Sequence, residues 1–183
     1  MEYKRVNRTL VSKGTIIDLY KDHMLITDDE KSVRIEEDWD FINHKGAAAI
    51  IAEDSDGKIL MVRQFRNSID EYTLEIPAGG LNPGEDMSVC AARELEEETG
   101  YRAEHVGHLM DFIATVAYSN EKIGIYYTDS LIKSVQNLDE DEYVEVEKYP
   151  LEDLIRMVYD GQITDGKSIA AIMAYKVLKM QKA

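Results

Sequence analysis

The sequence predicts an α/β fold with a small strand-rich piece ahead of it. Three observations carry this. Residues 3 to 37 hold short stretches rich in Val, Ile, Thr and Tyr, near-continuous apolar runs begin at Ala47, and good helix formers fill Glu85 to Thr99.

In chain order, RTLVS, GTIIDLY, HMLIT and KSVRIE read as antiparallel strands broken by Gly14 and the polar cluster Thr27 to Glu30. They hold few long apolar residues, so they bury one face against the main domain or a second copy of the chain. The composition shifts near residue 45, which divides an N-terminal piece, residues 1–45, from an α/β body, residues 46–183. AAAIIAE, the turn Asp54-Ser55-Asp56-Gly57 and KILMVRQF read as a hairpin in a buried sheet. The turn resembles the start of a calcium loop but lacks the twelve-residue ligand pattern. A short strand, Tyr72 to Ile76, ends at Pro77-Ala78-Gly79-Gly80. The helix from Glu85 to Thr99 has Gly100 where a C-cap belongs. Strands follow near His108 to Val116 and at Ile123 to Thr128, then YVEVE behind an acidic loop. Pro150 opens a helix to about Tyr159, and an amphipathic helix runs from Asp165 or Gly166 to the end.

The 183 residues suit one domain, with 44% apolar content sufficient for a core. With 36 Asp and Glu against 21 Lys and Arg, net charge −15, the chain is a poor partner for nucleic acid or an anionic membrane. The longest apolar stretch, GAAAIIA, is far short of the ~20 residues of a membrane span. Cys90 is the single cysteine, and MEYKRVNRTL does not resemble a signal peptide, so a reducing, cytoplasmic setting is expected. The charge is also local. Residues 85–98 hold six acids and one base, and residues 139–147 hold six acids and no base.

The most informative stretch is GGLNPGEDMSVCAARELEEETGY, residues 79–101. Glu94, Glu97 and Glu98 fall at i, i+3 and i+4, within an arc of about 100° of one helical face. Like charges there repel, and the C-terminal half of a helix disfavours anions. Arg93 can pair with Glu97 one turn on. Two readings are open: a solvated acidic face, or carboxylates gathered to share a hard divalent cation such as Mg²⁺. The glycines Gly79, Gly80 and Gly84 before the helix suit a loop whose backbone approaches a phosphate or metal closely.

The spacing Gly79, five residues, Glu85, seven residues, Arg93-Glu94-Leu95, one residue, Glu97-Glu98, one residue, Gly100 resembles the signature of the Nudix hydrolases. Tyr101 stands where that family usually has Ile, Leu or Val. The resemblance implies an α/β/α sandwich with a mixed sheet, and cleavage of a nucleoside diphosphate linked to another moiety with Mg²⁺ or Mn²⁺. By carry-over, Glu94, Glu97 and Glu98 are metal ligands with the backbone carbonyl of Ala78, and Glu97 and Glu98 belong to the catalytic set. Glu85 and Arg93 hold loop and helix together.

VRQFR (Val62 to Arg66), LEIPAGG (Leu74 to Gly80) and GQITDGKS extend the likeness to the ADP-ribose pyrophosphatase branch. There the second arginine of the QFR-like element contacts the diphosphate, which is Arg66 here, with Arg63 as the weaker candidate; pairing with a surface carboxylate is the rival reading for Arg66. The branch carries a catalytic carboxylate on a loop after the sheet, matched by LDEDEYVEVE with Glu140 or Glu142 as general base, against an ordinary acidic loop. It is typically a homodimer joined through its N-terminal strands, where Tyr20 either stacks on the nucleobase or simply packs; Trp39 is equally ambiguous. Val116 stands where ADP-ribose hydrolases usually carry proline. The branch implies ADP-ribose as the substrate; Val116 points to another nucleotide sugar such as GDP-mannose or UDP-glucose as the alternative, and a non-catalytic nucleotide-sugar sensor is the reading from another class.

Overall fold

In the computed structural model the described residues are 1–138 and 143–182. They form two compact units: Met1–Gly46 with Ile113–Lys122, and Ala47–Phe112 with the chain from Ile123 onward.

The first unit is an antiparallel sheet of three twelve-residue strands, β1 (Glu2–Lys13), β2 (Ile17–Asp28) and β3 (Val33–His44), in the order β1-β2-β3. Burial alternates along β2, where Asp22, Met24, Ile26 and Asp28 point to the covered face. The flanking strands leave Tyr3, Val6, Leu10, Ile35 and Trp39 exposed. Arg8 reaches from β1 to Asp22 through two bonds of 2.6 Å. The segment Ile113–Lys122 joins this unit through Ile42 N–H, which donates to the Tyr118 carbonyl at 2.7 Å. The strand expected to reach Val116 stops at Ile113, because Ala114 N–H donates to Glu121 and Ser119 N–H to Thr115, closing the chain into a turn.

The second unit is the α/β body. Its elements are β4 (Ala47–Ala52), β5 (Lys58–Arg66), β6 (Glu71–Glu75), β7 (Ala78–Gly80), α1 (Met87–Thr99), β8 (Tyr101–Ala103), β9 (Gly107–Ile113), β10 (Lys122–Thr128), β11 (Leu131–Lys133), β12 (Glu145–Pro150), α2 (Leu151–Tyr159) and α3 (Gly166–Lys182). One sheet runs β7-β4-β10-β9 and is mixed, with β4 parallel to β10 and antiparallel to β7; a second runs β12-β5-β6. A small pair, β11-β8, is the third.

The hairpin expected at residues 47–65 forms its turn but not its ladder. Asp54 Oδ1 accepts from the Asp56 and Lys58 amides at 3.0 Å, and Gly57 takes φ +75°. Beyond the single bridge Glu53–Ile59, β4 and β5 part into different sheets. The physical reason is burial on both faces of β4. Ala49 and Ile51 pack with Ile125, Leu154, Ile172 and Tyr175 under α2 and α3, while Ala48, Ile50 and Ala52 pack with Cys90, Ala91 and Leu95 of α1. A strand covered on both sides needs apolar residues at every position, hence AAAIIA. Helices on both faces give the α/β/α sandwich with a mixed sheet. No helix among the described residues is long and apolar enough to cross a membrane.

Candidate active site

The site is built on α1 and the loop that feeds it. Asp86 is the N-cap, accepting from Ser88 N–H at 2.8 Å, which starts the helix at Met87, two residues later than its formers begin. Gly100 ends it in the left-handed conformation at φ +70°, its N–H donating to the Glu96 carbonyl at 2.9 Å. In the loop Glu85 accepts from Asn82 N–H at 2.9 Å and Gly84 turns the chain at φ +77°.

Arg93 gathers the carboxylates. Its Nε and Nη2 donate to the two oxygens of Glu85 at 2.8 and 3.0 Å, and its Nη1 donates to Glu94 at 2.7 Å and Glu97 at 2.8 Å. Nη2 also reaches the Gly80 carbonyl at 3.2 Å. The expected Arg93–Glu97 pair is thus one arm of a larger fork, with the guanidinium's five donors spread over helix and loop. Arg93 and Asn82 together hold Glu85 down to about 2.

Glu94 and Glu98 are buried, and Glu98 accepts from Ala78 N–H at 3.1 Å, tying α1 to β7. At Gly79 a Cβ would overlap the Glu94 carboxyl, so a side chain there would have to push that carboxyl aside. A cavity of about 210 Å³ opens between them, lined by Gly79, Gly80, Arg93, Glu94, Glu97 and Asn137. Among the described residues no group of three or more His, Cys, Asp or Glu side chains is arranged around a metal position. Arg93 instead holds three carboxylates, those of Glu85, Glu94 and Glu97. In kind the donors still fit a hard divalent cation: they are oxygens, carboxylate and carbonyl, at a place where Gly79 leaves room for the Glu94 carboxyl.

The structure brings Arg66 near this helix but engages it. Its Nε and Nη2 donate to the two oxygens of Glu75 at 2.7 and 2.6 Å, and the fields of Asp165 and Glu98 add to that bond in keeping it charged. The acceptor is a buried carboxylate and not one of the surface acids of the rival reading. Arg63 pairs with Glu147 across β5 and β12 and lines a separate cavity of about 620 Å³ with Tyr72, Leu138 and Tyr143. Tyr20 lies in the first unit, its ring 6.2 Å from that of Phe41, with the Arg8 guanidinium 5.6 Å above it. Glu140 and Glu142 fall outside the described residues. Val116 is 79% exposed.

Sequence reasoning missed Glu75 and Lys167. Glu75 is 2% exposed and accepts from Arg66, Thr73 Oγ1 and Lys167 Nζ. Lys167 also bonds Asp165, which caps the start of α3 by accepting from Ser168 N–H at 3.0 Å, and Ser168 Oγ accepts from Ile76 N–H at 2.9 Å.

The sequence model of the NUDIX domain matches residues 43–172, a span that contains the Arg93 fork and its glycine loop. The chain belongs to the Nudix family. As a Nudix hydrolase it is an enzyme, and this family generally works with divalent metal ions. It is 34% identical to a protein named ADP-ribose pyrophosphatase from Bacillus subtilis (strain 168), over 94% of this chain and 91% of that one. It is 33% identical to the methanol dehydrogenase activator of Bacillus methanolicus, over 100% of this chain and 95% of the relative. A solved structure described as an ADP compounds hydrolase superposes with a TM-score of 0.85, covering 100% of this Nudix chain and 97% of its own at 18% identity; that likeness concerns the fold.

Proposed function

We propose that this Nudix enzyme hydrolyses the pyrophosphate bond of a nucleoside diphosphate sugar with Mg²⁺, Mn²⁺ being the substitute, and that ADP-ribose, giving AMP and ribose 5-phosphate, is its substrate. The observation that carries the reading is the Arg93 fork: one guanidinium collecting Glu85, Glu94 and Glu97 beside a glycine whose missing Cβ leaves room for the Glu94 carboxyl. The B. subtilis relative's name supports ADP-ribose.

Glu94, Glu97, Glu98 and the Ala78 carbonyl are the groups that hold the cation. A divalent cation supplies neutralisation of diphosphate oxygens and acidification of a water. The chain does the rest. Arg93 and Glu85 keep the loop against α1, Glu98 fixes the Ala78 backbone, and Arg66, with Arg63 as the lesser contributor, binds the diphosphate. A carboxylate at Glu140 or Glu142 accepts the proton of the attacking water. In-line attack at one phosphorus releases two phosphate monoesters. In the same reading the chain is a cytoplasmic homodimer assembled through residues 1–45, with Tyr20 stacking on the nucleobase and residues 46–183 forming the hydrolase domain.

Val116, where the branch usually has proline, favours a second reading in which another nucleotide sugar such as GDP-mannose or UDP-glucose is preferred. A Mg²⁺-dependent hydrolysis panel of ADP-ribose, GDP-mannose, UDP-glucose, NADH and a dinucleoside polyphosphate tests both. Fastest cleavage of ADP-ribose is expected; cleavage of none removes the enzymatic reading in favour of a sensor.

A further inference from the structure

Glu75 is a buried carboxylate with two cations. Arg66 approaches from β5 with a side chain 39% exposed, and Lys167 from the start of α3 with one 11% exposed. Thr73 Oγ1 adds a bond at 2.6 Å. Lys167 is itself fixed by Asp165 at 3.0 Å, whose other bonds run to Ser168. The two cations differ in what they can do. Lys167 is enclosed and bound on both sides by acids, whereas the Arg66 side chain is partly open to solvent.

A buried carboxylate left with no cation is strongly disfavoured. Were Arg66 the sole partner of Glu75, handing its guanidinium to another anion would leave Glu75 in that state. With Lys167 and Thr73 in place, Glu75 keeps one cation and one hydroxyl donor whatever Arg66 does. We infer that Lys167 is a positioning residue that acts through Glu75: it holds that carboxylate so that Arg66 can exchange its bonds to the substrate diphosphate. This rests on the reading of Arg66 as the diphosphate contact. The same network grips the strand that leads into the site, since Ser168 Oγ holds Ile76 N–H and, two residues on, Ala78 N–H is held by Glu98.

The inference assigns a direction that a merely structural role does not. Removing Lys167 as a packing or tethering group would loosen the network and free Arg66; removing it as a competing cation tightens Glu75 on Arg66. The test is solvent exchange of the Arg66 Nε–H, followed by ¹⁵N NMR with the resonance assigned by its loss in Arg66→Lys, alongside steady-state hydrolysis of ADP-ribose. In Lys167→Met the Nε–H exchange slows about fivefold or more, KM rises about fivefold or more, and kcat stays within about twofold. Lys167→Arg restores both values, and Glu75→Gln in the Lys167→Met background returns KM toward that of the parent. Should Lys167→Met not fold, Glu75→Gln alone must speed the Nε–H exchange by about fivefold or more. Unchanged or faster exchange in Lys167→Met overturns the inference, as does slowed exchange with KM unmoved, or unchanged exchange in Glu75→Gln. If the parent cleaves no nucleotide sugar the functional reading fails, while the exchange comparison still decides the role of Lys167.

Discussion

Arg93 and Glu85 meet through two parallel bonds, Nε to Oε1 at 2.8 Å and Nη2 to Oε2 at 3.0 Å, so a residue in the middle of α1 holds the loop that precedes it. The remaining nitrogen is shared by Glu94 and Glu97. Arg93→Lys keeps one positive charge but cannot serve a fork and two further acceptors at once. The expected outcome is a loss of about 10²-fold in kcat/KM, since loop and helix lose their fixed relation. Arg93→Met in addition lowers stability by about 2–4 kcal/mol, because it leaves the buried Glu94 and the largely covered Glu85 and Glu97 carboxylates facing one another. Hydrolysis assays and denaturant unfolding read the two effects separately.

Gly79 and Gly80 are adjacent and look equivalent in sequence, yet they differ in space. A Cβ at Gly79 overlaps the Glu94 carboxyl, while one at Gly80 meets nothing within 4 Å. Gly79→Ala must therefore displace Glu94 from its bond to Arg93, and a displacement of about 1 Å is worth roughly 10²-fold in activity. Gly80→Ala changes activity by no more than about twofold, its cost being limited to local backbone preference. Equal effects at the two positions would contradict the packing described.

The contrast explains what was legible beforehand. The box was readable because its chemistry is local: Glu94, Glu97 and Glu98 recur on a helical period, and Arg93 lies one turn from Glu97, so periodicity alone puts them together. The two-sided burial of β4 was written in AAAIIA, but not which strand would pair with it, because apolar character at every position carries no register. Hence the turn at Asp54-Gly57 was expected to close a hairpin, although β4 prefers β10 and β7. The Arg66–Glu75–Lys167 cluster was illegible for another reason. Its members lie on β5, β6 and α3, and no spacing rule links residues brought together only by the stacking of a helix on a sheet.

Glu98→Gln tests the site at the point where helix and strand touch. The amide oxygen can still accept from Ala78 N–H, so the 3.1 Å contact and the fold survive. What is lost is a negative charge at a buried position, and with it the charge stabilisation a cation-dependent phosphoryl transfer requires. Turnover is expected to fall by about 10³-fold or more with Tm nearly unchanged. Near-normal turnover in the presence of Mg²⁺ would remove Glu98 from the metal-holding set.

Acid sensitivity follows from Glu75. Burial alone would raise its pKa, but the bonds from Arg66 and Lys167 outweigh burial and hold it at about 2, against 4.5 for an ordinary glutamate. The folded state therefore binds this proton less readily than the unfolded chain does. Its contribution, a few kcal/mol, is fully present above the ordinary value and is lost as pH falls from about 4.5 through about 2. Unfolding midpoints in urea between pH 6 and pH 2.5 should decline steeply over the lower half of that range. In Glu75→Gln, which cannot titrate, the protein should be less stable at pH 6 and the decline shallower, because this carboxylate no longer distinguishes the folded from the unfolded state. A decline of the same steepness in both proteins would place the acid-sensitive group elsewhere.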